Sequence, residues 1–171
     1  MNGPTIHPAM FDDERLLVEC SRQTTRRSGP GGQHRNKTET AVVLTHLPTG
    51  VRAEANESRS QLQNLESALF RLRRLLAEQL RTAVGPHSSP SELWQSRTPR
   101  RRLELGDENS HFPALLAEAL DRVVAHEFDF AAAAESLGVS TTQLVRFVHQ
   151  SPAARQWINS ERIARSLRPL R

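Results

Sequence analysis

The sequence predicts an α+β fold: a small mixed β-sheet packed with one long helix, followed by an all-α C-terminal region. Three observations point there. Short Thr- and Val-rich runs, interrupted by Gly and Pro, mark strands in the first third of the chain. A leucine stripe at spacings of three and four residues runs from Leu62 to Leu80. Beyond residue 110, helix caps and apolar helical faces recur without strand signals. The 171 residues suit one ordinary domain or two small ones, and the composition divides them into 1–83, a linker at 84–110, and 111–171.

Residues 12–20 read as a short helix with Leu16, Leu17 and Cys20 on one side. Arg22 to Arg27 reads as a strand leading into a glycine-rich loop, and Thr40 to Leu47 as a second strand. Pro48-Thr49-Gly50 supplies a turn, and Val51 to Ala55 returns as the other arm of a hairpin. Ser60 with Gln63 three residues later forms a capping-box pair, opening a helix that carries the leucine stripe to about Ala83. Arg71, Arg73 and Arg74 point away from that stripe, as a solvated helix face does.

Residues 84–110 break the pattern. Gly85-Pro86, Ser88-Ser89-Pro90 and Thr98-Pro99 read as a linker, with one short helix near Ser91 to Gln95. Arg100-Arg101-Arg102 within it is either a contact for RNA phosphates or a solvated charge run. Pro113 then suits a first helical turn, with Leu115, Leu116, Leu120 and Val123 on its apolar face. Asp129 caps a second helix that Gly138 ends, and Ser140 with Gln143 caps a third. Ser151-Pro152 starts a fourth helix reaching about Leu167, with Trp157, Ile158 and Ile163 facing inward.

Charge is unevenly placed. Residues 21–83 hold ten arginines and Lys37 against five glutamates, whereas residues 107–171 hold seven arginines against eight acids. Of the 23 basic residues all but Lys37 are arginine, whose planar fork suits phosphate, although a GC-rich coding bias gives the same excess. The single cysteine, Cys20, excludes a disulfide framework and points to a reducing compartment. No apolar run approaches membrane-spanning length, and residues 1–20 lack a signal or presequence pattern, so a cytoplasmic location is expected. With no close grouping of His, Cys and carboxylates, no metal and no cofactor are expected.

The chemistry concentrates in Ser28-Gly29-Pro30-Gly31-Gly32-Gln33, flanked by Arg26, Arg27, Arg35 and Lys37. Glycines let a main chain approach another molecule closely, and Gln33 offers a backbone N–H and a side-chain amide. Such a tip carries main-chain donors toward a phosphate-rich partner. The run Ser28 to Lys37, with His46-Leu47-Pro48-Thr49-Gly50 and Arg59-Ser60-Gln61, closely resembles the catalytic domain of class I peptide chain release factors over residues 11–80. The resemblance implies ribosome-dependent hydrolysis of the peptidyl-tRNA ester, with Gly31, Gly32 and Gln33 as the catalytic residues. It implies that the Gln33 N–H stabilises charge developing on the ester, while the Gln33 side chain shapes the space for water. Arg26, Arg27, Arg35, Lys37 and Arg59 are then candidate contacts for large-subunit ribosomal RNA. His46 is expected to pack or hydrogen-bond within the hairpin.

No decoding motif of that family is recognisable here, so the resemblance points to a codon-independent, ribosome-rescue type of release. Rescue proteins of this kind often use a strongly basic tail, and the near-neutral residues 107–171 depart from that pattern. Ala134, Gly138, Val139, Leu144 and Phe147 have helix-turn-helix spacing, with Thr141, Thr142, Gln143 and Arg146 on the candidate recognition helix. A purely structural helical hairpin has the same spacing and is the simpler reading. Near-neutral charge argues against duplex DNA as partner. The competing function is a non-catalytic ribosome- or RNA-binding adaptor that keeps the fold as a docking module.

Overall fold

The computed structural model describes residues 6–25 and 40–171. They form two compact units, one of Pro8–Leu76 and one of Ala77–Arg171 together with residues 6 and 7. The first contains the sheet and the second is helical.

In the sheet unit a 3-10 turn at Pro8–Met10 precedes helix α1, Asp13–Val18. Asp12 caps α1 by accepting the Arg15 N–H at 2.8 Å, and Leu16 is fully buried. The chain then enters strand β1, Cys20–Thr25, so Cys20 is the first residue of a strand and not the last of a helix. Its pairing with His46 in the neighbouring strand decides this. Strand β2, Ala41–His46, is central, with β1 on one side and β3, Arg52–Ala55, on the other. Both pairings are antiparallel, which corrects the expected mixed sheet. The reason for the second pairing is local: the short connection from His46 to Arg52 can only reverse the strand. Ala41, Val42, Val43 and Leu44 are all buried, the pattern of a strand covered on both faces.

Helix α2, Gln61–Gln79, supplies apolar cover through Ala68, Leu69, Leu72 and Leu76. Arg71 in α2 donates to the Glu54 carbonyl of β3 at 2.6 Å. The helix is rotated relative to the expected stripe. Asn64 and Ala68 lie on the buried arc, and Leu62, about 200° around from Asn64, is 65% exposed. Arg73 also departs from the expected solvated face. Its guanidinium donates to Ala9 O at 3.0 Å, to Phe11 O, and to Asp13 at 2.7 Å, which anchors the N-terminal segment.

The helical unit is organised around α4, Phe112–Ala125, which is buried from Phe112 to Val123. Helices α3 (Glu92–Arg97), α5 (Phe130–Ser136), α6 (Thr141–Val148) and α7 (Pro152–Ala164) complete it. Ser91, Asp129, Ser140 and Ser151 each cap a helix by accepting a backbone N–H with the side chain. Gly138 ends the α5 region at φ +70°, in the left-handed conformation that glycine adopts most readily. Ile158 of α7 is buried, but Ile163, about 140° around the helix, is 62% exposed rather than inward.

Residues 84–110 contribute to this core. Trp94 of α3 is fully buried, donates its indole N–H to Leu137 O at 2.8 Å, and meets Phe147 edge-on at 6.1 Å. Three polar residues of α4 strap the preceding segment down. Glu118 accepts from Ser91 N at 2.7 Å and from its hydroxyl at 2.5 Å. Asp121 accepts from Thr82 N at 3.0 Å and from its hydroxyl. Arg122 donates to the carbonyls of Gly85, Pro86 and Ser88 at 3.2, 3.0 and 2.8 Å. Burial pushes both carboxyls above their ordinary range, with those hydrogen bonds acting in the opposite sense. Among the described residues no helix is long and apolar enough to cross a membrane.

Candidate functional site

The sheet unit's candidate site grows from the connection between β1 and β2. Thr25 and Ala41 are register partners, so residues 26–40 leave and rejoin the sheet at adjacent points. Gly31, Gly32 and Gln33, with Arg26, Arg27, Arg35 and Lys37, lie outside the described residues. What is described is the frame that receives their ends.

Asn64 is the centre of that frame, at 1% exposure. Its amide nitrogen donates to Thr40 O at 2.6 Å and to Ser58 O at 2.9 Å, while its Oδ1 accepts from Ser58 N at 2.9 Å. One side chain thus joins the segment entering β2, the turn after β3 and the first turns of α2. The capping box is modified accordingly. Ser60 Oγ accepts the Gln63 N–H at 3.4 Å, but Gln63 reaches back to Ser58 Oγ at 2.5 Å, and Ser58 Oγ accepts the Ser60 N–H at 3.0 Å. Arg59, beside Ser58, is exposed and has no side-chain partner among the described residues. It is exposed on a braced turn.

The other end of the sheet is closed by His46, which is fully buried. Its Nδ1 lies 2.7 Å from Thr49 Oγ1 and its Nε2 lies 3.0 Å from Glu19 Oε2. Thr49 Oγ1 also accepts the Val51 N–H at 3.3 Å, and Gly50, at φ +72°, donates its N–H to His46 O at 2.7 Å. With Nδ1 engaged by Thr49 in the turn and Nε2 by Glu19 at the end of α1, His46 locks the hairpin, where the sequence leads one to expect it to hydrogen-bond, and is no free base. Cys20 is no activated nucleophile either. Burial pushes its thiol above the ordinary value, the Glu19 charge adds to this, and Arg73 opposes it.

In the helical unit, Thr141, Thr142 and Arg146 are exposed on α6, and Gln143 is half-buried. Ala134, Val139, Leu144 and Phe147 form the buried seam of α5 and α6. The predicted residues therefore fall into two groups, Arg59 with the loop frame in one unit and the α6 residues in the other. Asn64 and Ser58 escaped the sequence reading. The available signal was an asparagine four residues before Ala68, on the arc that should be apolar.

Residues 17–108 match the RF-1 domain, which takes in both strands around the glycine segment, Arg59, Asn64 and the turn locked by His46. The chain belongs to the class I peptide chain release factor family. Relatives of this release factor family member include peptide chain release factor 1 of Acidiphilium cryptum, 40% identical over 111 residues, covering 61% of this chain and 32% of the relative. Peptide chain release factor 1 of Enterococcus faecalis is 33% identical over 137 residues, or 70% of this chain and 37% of the relative. Peptide chain release factor 1 of Ureaplasma parvum is 54% identical over 61 residues, or 36% and 17%. The release factor family member thus spans well under half the length of each of these relatives.

Proposed function

We propose that this protein hydrolyses the peptidyl-tRNA ester on the ribosome without reading a codon, releasing nascent peptide from stalled complexes in the cytoplasm. The observation that carries the reading is Gly31-Gly32-Gln33 lying within the stretch that matches the RF-1 domain, between two strands whose ends pair at Thr25 and Ala41. The two strands that flank the segment are register partners in one antiparallel pair, which places its two ends side by side.

In this reading water attacks the ester carbonyl, and the Gln33 backbone N–H donates to the oxygen on which negative charge develops. The ribose oxygen leaves and takes up a proton, and the Gln33 side chain excludes bulkier nucleophiles. Gly31 and Gly32 admit the required backbone conformation. Arg26, Arg27, Arg35, Lys37 and Arg59 bind large-subunit ribosomal RNA, and the α6 residues Thr141, Thr142, Gln143 and Arg146 serve an accessory contact.

The test is peptide release by the purified protein from ribosomes whose decoding site is empty, filled with a sense codon, or filled with a stop codon. Release from empty or sense-filled sites supports the reading. Strict stop-codon dependence overturns the codon-independent part. Ribosome binding with no release at all makes the chain a docking module instead.

A further inference from the structure

We propose that residues 97–102 form a phosphate-binding site for an RNA backbone, separate from the loop that carries Gln33. The site lies wholly within the helical unit. A cleft of 790 Å³ is lined by Ser96, Arg97, Pro99, Arg100, Arg102 and Glu104. Arg97, Arg100, Arg101 and Arg102 are all exposed.

Their charges are weakly compensated. Arg100 and Arg101 have no side-chain partner among the described residues. Arg97 Nη2 lies 2.6 Å from His111 Nδ1, an acceptor that orients the guanidinium without neutralising it. Arg102 has only Glu104, at 3.8 Å, with both side chains more than two-thirds exposed and the pair therefore weak. Three guanidinium forks around one concavity, with a fourth adjacent, suit the oxygens of successive phosphates.

The backbone points the same way. Arg100 has φ +53° and ψ +31°, and Arg101 has φ +62°, two successive residues in the left-handed region that side chains disfavour. Glycine would sit there without strain, yet the chain has arginine at both positions. The fold holds the strained tip from below: Arg101 N donates to Thr98 O and Arg102 N to Pro99 O, each at 3.1 Å. Thr98 Oγ1 in turn donates to the carbonyl of buried Trp94 at 2.9 Å. Strain maintained by such bracing at an exposed, uncompensated cationic tip marks a functional position.

The cleft also has a continuation. Glu104 lines a second groove of 640 Å³ along α6, together with Gln143, Arg146 and His149. Gln143 Oε1 and His149 Nε2 have no hydrogen-bond partner among the described residues. A single strand held by its phosphates at Arg97–Arg102 would lead toward Gln143 and Arg146, two of the α6 residues picked out by the sequence. The preference for RNA over DNA rests on the ribosomal reading above, but the site itself does not.

The experiment measures binding of the full chain to a labelled single-stranded RNA oligonucleotide, across salt concentrations, with duplex DNA as a second probe. The Arg100→Gly/Arg101→Gly variant removes two cations and the strain together. It should melt no lower than the parent, bind RNA roughly tenfold or more weakly, and lose about one to two from the slope of log affinity against log salt. Arg97→Glu/Arg102→Glu should weaken binding further. Unchanged RNA affinity and slope in both variants overturn the site, as does absence of RNA binding by the parent. Equal or tighter binding of duplex DNA through the same arginines overturns RNA as its ligand. Peptide release is not read in this experiment, so failure of the hydrolase reading leaves its outcome separately visible.

Discussion

Asn64 donates its amide to Thr40 O at 2.6 Å, tying the buried arc of α2 to the residue that enters β2. Because the same side chain also makes two bonds to Ser58, it fixes one end of the connection that carries Gln33. Asn64→Ala leaves three backbone groups without this partner at a buried position. The expected loss is about 2–3 kcal/mol in chemical denaturation, with slower peptide release in the folded fraction. A loss below about 1 kcal/mol would show that water or neighbours replace the amide.

Main-chain catalysis makes a distinctive prediction at Gln33. Gln33→Pro removes the backbone N–H and should reduce release by about a hundred- to thousand-fold. Gln33→Ala retains that donor but opens the water site, so hydroxylamine should rescue release better in the alanine variant than in the proline variant. Gly32→Ala should also largely abolish release. Full activity in all three would remove the proposed chemistry.

His7 provides a pH test of the helical unit. Burial depresses its pKa to about 4 from the ordinary 6.5; the Leu80 carbonyl 3.3 Å from Nε2 acts in the opposite sense, and Arg81 adds to the lowering. The folded protein therefore resists a proton that the unfolded chain accepts. Stability from neutral His7 is fully present above about pH 6.5 and is lost as the pH falls toward 4, by about 3 kcal/mol. Denaturation of parent and His7→Gln at neutral and mildly acidic pH checks this, because the carboxylates titrate in both. The acid-induced loss should be the larger in the parent.

Trp94 tests the packing of the segment before α4. Trp94→Ala should cost about 3–5 kcal/mol, since it empties a fully buried site against Phe147. Trp94→Phe keeps part of that volume but leaves Leu137 O unpaired, adding about 1–3 kcal/mol to the lost packing. Far-UV circular dichroism during denaturation separates the two.

The elements most legible in the sequence were those fixed by local chemistry. Ser140, Asp129 and Ser151 announce helix starts because a cap acts within three residues, and Pro48-Thr49-Gly50 announces its turn for the same reason. The family was legible because the motif of the glycine segment is continuous. Long-range polar contacts were not. Asn64 reaches Thr40 across 24 positions, and Arg73 reaches Ala9 across 64, so neither partner can be read from spacing. The rotation of α2 followed from the same gap: a leucine stripe gives a helix, but the buried amide helps decide which arc faces inward. Segment 84–110 has the composition of a linker, and only the contacts of Trp94 and α4 reveal how much of it is packed.

The α4 straps also determine where the chain can be cut. Glu118, Asp121 and Arg122 find their partners between Arg81 and Ser91, all upstream of the apparent helical boundary at residue 111. A fragment beginning at residue 107 would carry two carboxyls and a guanidinium without those partners, and would lose the Trp94 anchor as well. Dissection of the protein should begin ahead of Thr82. Residues that look, in the sequence, like a string between two domains are part of the helical unit's own packing.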